Sequence, residues 1–204
     1  MNLEEIKYRM QNQKLYYCED ERLIEEQLKC LDKVHDYNNL KPSQQKEKQE
    51  LLKNMFAEIG DKCYIETPFY ASWGGKNVHI GNHFYSNYNL MLVDDGKITI
   101  GDNVMIAPNV IICSATHPIS PKLRKKGAQY NLPVKVGNGV WIGANCVVMP
   151  GVTIGDNSII GAGSVVTKDI PANVVAFGNP CRVHRAITED DEIYYNKNYK
   201  IDIE

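Results

Sequence analysis

The sequence predicts an all-β chain wound as a parallel coil, with a helical segment before it and a polar tail after it. Three observations carry this: an aliphatic repeat of period six, a charged and helix-patterned first sixty residues, and a turn to polar, Tyr-rich composition after Pro180.

The repeat is clearest from Val134 to Ile170. Val136, Ile142, Val148, Ile154, Ile160 and Val166 stand six apart without a gap. Two places before each lie Val134, Val140, Cys146, Val152, Ser158 and Ser164, all small or β-branched, and Gly137, Gly143, Gly155 and Gly161 follow four of the six aliphatics. A period of six fits neither a helix nor a plain alternating strand. It suits a coil with three flat sides, each using one hexad, the large aliphatic pointing into a narrow prism and the small residue fitting near a corner. Glycine and asparagine serve the turns because they tolerate positive φ.

The same phase runs earlier through Ile100, Ile106 and Ile112, and earlier still through Ile80 and Leu92. Between Leu92 and Ile100 the count slips by two residues around Asp94-Asp95-Gly96-Lys97, turn chemistry at a place where a site is expected. Between Ile112 and Val136 the phase is kept, but residues 114–133 hold three prolines, a basic cluster and no aliphatic rhythm. This stretch reads as a loop thrown out from the coil, and long loops on rigid scaffolds are often functional.

In the first sixty residues Leu23, Leu28, Leu31 and Val34 recur at helical spacing, and Pro42-Ser43 precedes a second helical run from Gln44 to Phe56. Two or three short helices are expected to cap the open end of the coil, where unpaired strand edges invite aggregation. The organisation is then 1–60 helical segment, 61–183 coil with its excursion at about 114–133, and 184–204 tail lying on the surface or on a neighbouring subunit.

The chain balances 23 Lys+Arg against 25 Asp+Glu, so no basic field exists to recruit nucleic acid or an anionic membrane surface. No apolar run approaches the roughly 20 residues of a membrane span, and Met1-Asn2-Leu3-Glu4-Glu5 lacks the basic-then-apolar pattern of a signal peptide, so a cytoplasmic protein is expected. The six cysteines are scattered without a C-x-x-C pair and read as reduced thiols. His79 and His83 are four apart, a spacing that puts them on different sides of a hexad coil rather than on one metal-binding face.

The segments Ile98-Thr-Ile-Gly-Asp-Asn-Val, Ile106-Ala-Pro-Asn, Thr116-His-Pro and Gly151-Val-Thr-Ile-Gly-Asp-Asn-Ser-Ile-Ile-Gly-Ala-Gly-Ser-Val-Val-Thr-Lys-Asp-Ile-Pro resemble the galactoside and maltose O-acetyltransferases. The likeness extends upstream through Phe56 to Tyr70 and downstream through Gly178-Asn-Pro-Cys-Arg-Val, covering nearly the whole chain. It implies a single-stranded left-handed parallel β-helix, a homotrimer with active sites between neighbouring coils, acetyl-CoA as co-substrate and no metal. On the family pattern His117 is the general base, a task for which imidazole is well poised at neutral pH. Ser72, Asn87 and Asp95 line the acceptor pocket; Ala144, Ala162, Thr167 and Lys168 line the pantetheine track; Arg182 and Arg185 hold CoA phosphates. The backbone N–H of Ala144 meets the oxyanion.

The chain departs from that pattern in two places. Where members carry an N-terminal Asp it has Tyr17 and Cys18, and Ala128 and Gln129 stand where some relatives have an acid and a Met. The acceptor is thus a sugar hydroxyl (galactoside, glucoside or maltose-like) or, alternatively, an antibiotic or other xenobiotic. A γ-type carbonic anhydrase would need His79, His83 and His117 to converge on zinc, and a non-catalytic scaffold would be indifferent to His117. Trp141, a large aromatic on a coil side, reads as a subunit contact.

Overall fold

The computed structural model describes residues 1–203. Helices α1 (Leu3–Gln11), α2 (Glu21–Asn39) and α3 (Gln45–Met55) come first. Asn2 and Asp20 cap the first two, their side-chain oxygens accepting the N–H groups of Glu5 and Arg22. The cap is joined to the coil by Tyr37, whose hydroxyl donates to the Ile65 carbonyl at 2.7 Å, and by Leu52, Met55 and Phe56, which are continuous with the coil core.

Helix α2 departs from the sequence expectation on one face. Leu23, Val34 and Tyr37 are buried, whereas Leu28 and Leu31, expected alongside them, are 54% and 38% exposed. The helix carries two neighbouring apolar stripes. Only the one turned towards the rest of the chain is covered, leaving Ile24, Leu28 and Leu31 open.

Three parallel sheets form the coil. A polar face is built from Glu58–Ile59, Val78–Ile80, Ile98–Ile100, Val134–Val136 and Thr153–Ile154; a second, the Trp141 face, from Tyr64–Ile65, Tyr85–Ser86, Met105–Ile106, Trp141–Ile142, Ile159–Ile160 and Val174–Phe177; a third, the Met91 face, from Tyr70–Ala71, Met91–Val93, Ile111–Cys113, Val147–Val148 and Val165–Val166. The register stacks the hexad positions on one another: Ile100 on Val136 on Ile154, Ile106 on Ile142 on Ile160, Ile112 on Val148 on Val166. All six aliphatics of the clearest repeat are buried. Ser158 and Ser164 are buried too, their hydroxyls donating to the carbonyls of Pro171 and Gly161.

Asparagine supplies much of one corner. Asn89, Asn109 and Asn145 all have positive φ and stack amide on amide at 2.9 and 3.1 Å, so the residue that allows the turn also bridges successive coils.

The three faces differ outside. The polar face presents Glu58, His79, Thr99, Lys135 and Thr153. The Trp141 face presents Tyr85, Met105, Trp141, Ile159 and Val175, and the Met91 face Tyr70, Met91, Ile111, Val147 and Val165.

The excursion leaves at the corner between the Met91 and polar faces. It is folded rather than irregular: it holds Ala115–Thr116, helix α4 (Pro121–Arg124) and the strand Ala128–Asn131. That strand pairs antiparallel with Ala115–Thr116 on one side and with Tyr16–Tyr17, from the N-terminal segment, on the other. At the far end Arg182–Ala186 turns back antiparallel on Val174–Phe177, followed by helix α5 (Asp190–Ile193) and an exposed hairpin of Tyr194–Asn196 with Tyr199–Lys200. Among the described residues no helix is long and apolar enough to cross a membrane.

Ile142→Ala leaves a cavity in a prism with little room to collapse and should cost about 2–5 kcal/mol in urea unfolding. Lys135→Ala, on the polar face, should stay within about 0.5 kcal/mol.

Candidate active site

The corner between the Met91 and polar faces is held from several sides. Asp94 is buried at the phase slip, and its carboxylate accepts the backbone N–H groups of Trp73 at 2.7 Å and Gly75 at 3.0 Å. Burial pushes this carboxyl up to about 6, against the pull of the N–H donors. Gly96 donates its N–H to Ser114 Oγ at 2.9 Å, and a Cβ at Gly96 would lie 2.7 Å from that of Asn131, so only glycine lets the slip meet the excursion this closely.

Between them sits Asp95, half-buried. Its Oδ1 accepts from Trp73 Nε1 at 3.3 Å and from Gln129 Nε2 at 3.0 Å. His117 follows Ala115–Thr116, with its imidazole exposed and its Nδ1 2.9 Å from the Ala128 carbonyl. A carbonyl can only accept, so Nδ1 is the donor, and in the neutral imidazole that leaves the lone pair on Nε2, the tautomer a base requires. Ser72, half-buried, ends the Tyr70–Ala71 strand; Thr167 and Lys168, exposed, follow Val165–Val166 on the same edge of the coil.

Asn87, Ala144 and Ala162 lie elsewhere. Through the pairing of Ser86, Ile106, Ile142 and Ile160 they share the corner between the Trp141 and Met91 faces, across the Met91 face from His117. The structure thus brings Ser72, Asp95 and His117 together on one edge and leaves Asn87, Ala144 and Ala162 on the other. Arg182 and Arg185 are on the antiparallel end strand. The Arg182 guanidinium donates to its neighbour's carbonyl, and Arg185 makes a two-pronged pair with Asp191 at 2.6 and 2.7 Å that holds the Asp191 carboxyl well below its usual range.

His79 stands on the polar face, 3.2 Å from the Glu58 carboxylate, and His83 at a corner with positive φ. Among the described residues no group of three or more His, Cys, Asp or Glu side chains is placed to hold a metal. All six cysteines are unpaired, with Cys63, Cys146 and Cys181 in the core.

Sequence reasoning missed Tyr16, Trp73 and Asn131 and gave Gln129 no partner. Tyr16 Oη accepts from Gln129 Nε2 at 2.5 Å and donates to Asn131 Oδ1 at 3.3 Å, while Asn131 Nδ2 donates to the Met10 carbonyl at 3.1 Å. Burial and then the Asp95 charge push the Tyr16 phenol far above its ordinary range, so it stays a donor. The one trace of this cluster in the sequence is the pair of amides two apart, Gln129 and Asn131, on a single strand face.

A coil of stacked hexads with a histidine-bearing excursion places the chain among hexapeptide-repeat proteins. Residues 133–168 match the bacterial transferase hexapeptide (six repeats), and residues 9–60 the maltose acetyltransferase hexapeptide capping motif. The chain is 52% identical to a galactoside O-acetyltransferase of Lactococcus lactis subsp. lactis over 96% of its length and 95% of that protein. It is 51% identical to that of Escherichia coli over 89% of each. Among solved structures it superposes on a galactoside acetyltransferase in complex with coenzyme A with a TM-score of 0.93 and 48% identity, covering 97% of this chain and 98% of that one. A maltose O-acetyltransferase from Clostridium difficile 630 gives 0.87 and 45%, covering 90% and 97%. The chain belongs to the galactoside and maltose O-acetyltransferase family.

The folded Asp94 carboxyl keeps its proton up to about pH 6, above its ordinary value of 3.8. The folded state therefore binds the proton more tightly, and this group's contribution to stability is complete below about pH 4 and lost as the pH rises through 6. Urea midpoints measured from pH 4 to 7 should fall less steeply for Asp94→Asn than for wild type. The variant should be less stable throughout, because an amide keeps one acceptor for two buried N–H donors.

Proposed function

We propose that the protein transfers acetyl from acetyl-CoA to a hydroxyl of a sugar, a galactoside, glucoside or maltose-like acceptor, with His117 as general base. The observation that carries this reading is the hydrogen bond from His117 Nδ1 to the Ala128 carbonyl, which assigns the lone pair of the neutral imidazole to Nε2, on the same edge of the coil as the Asp95 carboxylate. Acetyl-CoA supplies the activated acetyl group as a thioester. Nε2 takes the proton of the acceptor hydroxyl as that oxygen bonds to the acetyl carbon; the carbon–sulfur bond breaks, and the imidazolium returns the proton to the departing thiolate. A bound sugar hydroxyl is otherwise a poor nucleophile.

Ser72, Asn87 and Asp95 orient the acceptor by hydrogen bonds. Ala144 and Ala162 serve the donor through their backbones: among the described residues neither N–H has a backbone partner, although Gly143, Asn145, Gly161 and Gly163 all do. The Ala144 N–H is the donor we assign to the oxyanion. Thr167 and Lys168 continue the track, and Arg182 and Arg185 take the phosphates, with Asp191 released from Arg185 as they bind.

The site is completed by a second copy of the chain. Its residues fall on two edges of one coil, and two of the three outer faces are apolar while the third is polar. The exposed Ile24, Leu28 and Leu31 stripe of α2 adds to the uncovered surface, and a cleft of about 420 Å³ beside Ser72, lined by Leu31, Val34, His35, Tyr70 and Met91, runs along it. A closed homotrimer would bury such faces through head-to-tail contacts and set the His117 edge of one copy against the Trp141 face and the Asn87–Ala144–Ala162 edge of the next. The reaction needs no metal, and we place it in the cytoplasm, where unpaired cysteines persist.

CoA release from acetyl-CoA should be seen with at least one of a panel of glucosides, galactosides and maltose, unaffected by chelator, and should fall by about two to four orders of magnitude in His117→Ala. Turnover of antibiotics with none of sugars would move the acceptor to the xenobiotic class; CoA binding without any turnover would remove the acceptor assignment. Trp141→Arg should sediment as a smaller species with little activity, and a fully active monomer would refute the shared site.

A further inference from the structure

Gln129 is 7% exposed and sits on the strand Ala128–Asn131, between the strand that leads into His117 and the N-terminal strand Tyr16–Tyr17. The orientation of its amide is fixed by its partners. The Asp95 carboxylate can only accept, and the hydroxyl hydrogen of Tyr16 is committed to Asn131, so the Gln129 contacts to these two groups must be donated by Nε2, which also lies 3.4 Å from Asn131 Oδ1. One direction of donation follows: Gln129 to Asp95 and to Tyr16, Tyr16 to Asn131, Asn131 to the Met10 carbonyl. The links among Gln129, Tyr16, Asn131 and Met10 are buried, and the Gln129–Asp95 link is part-buried, with the far side of Asp95 open. There Oδ1 holds both donors, from Gln129 and Trp73, and among the described residues no donor reaches Oδ2.

We propose that Gln129 is a positioning residue for acceptor binding: its amide pins Oδ1 of Asp95 against the Tyr16 anchor so that Oδ2 stays turned out to accept a hydroxyl of the sugar. The inference rests on the reading of Asp95 as an acceptor-binding group. Its force comes from a shared strand. The Ala128 carbonyl sets the His117 imidazole, and the next side chain along sets the Asp95 carboxylate, so one short strand fixes the distance between the base and the group that orients what it deprotonates. A charge-assisted bond to a buried amide suits this task because it holds the carboxylate without neutralising it. An apolar side chain of similar length would leave Asp95 on the longer Trp73 contact alone, free to swing.

The test compares Gln129→Leu and Gln129→Glu with wild type in acetyl transfer to the best sugar of the panel. Loss of one hydrogen bond to a charged group predicts a rise of about tenfold or more in the acceptor KM of Gln129→Leu with the acetyl-CoA KM unchanged. Gln129→Glu should be impaired at pH 8, where two carboxylates face each other, and should recover relative to wild type as the pH falls, because the introduced carboxyl donates to Oδ1 once protonated. Unchanged acceptor KM in both variants, or equal rises for donor and acceptor, would overturn the proposal. Should Gln129→Leu not fold, the pH-dependent recovery of Gln129→Glu decides. A crystal structure of either variant tests the same point without turnover: an Asp95 carboxylate in its wild-type position refutes the positioning role. If wild type itself acetylates no sugar, it is the acceptor reading that fails.

Discussion

The width of the coil interior governs the rest of this molecule. Three short faces close on a space that admits one large aliphatic side chain per face per turn, stacked directly on its counterpart in the next coil. Because each hexad position contacts the same position above and below, the register cannot slip without moving every large residue to a corner and every small one to the centre. The stacked asparagines and the buried serines follow from the same restriction. Corners must turn within a few residues at positive φ, and the polar atoms trapped there must bond to the coils on either side.

A scaffold this rigid gives its irregularities meaning. The two-residue slip at Asp94–Gly96 and the excursion at 114–133 leave the coil on one edge, and they meet: Gly96 lies against Asn131, Ser114 takes the Gly96 N–H, and Gln129 reaches Asp95. Asp94, kept in the interior by two backbone N–H donors, anchors the slip from below. The segments that break the repeat thus meet one another on this edge, and the segments that keep it hold the edge in place.

The N-terminal segment takes part in the same arrangement. Besides closing the end of the prism, it sends the strand Tyr16–Tyr17 across to the excursion, so that Tyr16 buries its ring and lends its hydroxyl to the amides facing Asp95. Cys18 follows this strand, half-buried and with its thiol pushed up mainly by burial, and the polar contacts here come from Gln129 and Tyr16.

The sequence by itself determined the coil, its phase, the two places where it is interrupted and the helical cap, because stacked hexads write their packing in strict order along the chain. It pointed to His117 and Asp95 through the family resemblance of the segments around them, and both stand at visible breaks in the repeat. Only the tertiary structure decided that the excursion is a folded sheet tied to Tyr16, that Leu28 and Leu31 are exposed while Val34 is buried, that Arg185 is paired with Asp191, and that the expected site residues lie on two edges of one coil. Apart from the Arg185–Asp191 pair, which spans six positions, those facts depend on contacts between residues far apart in the chain, Tyr16 with Gln129 being more than a hundred positions distant, and no local period records which distant amide a buried hydroxyl will meet.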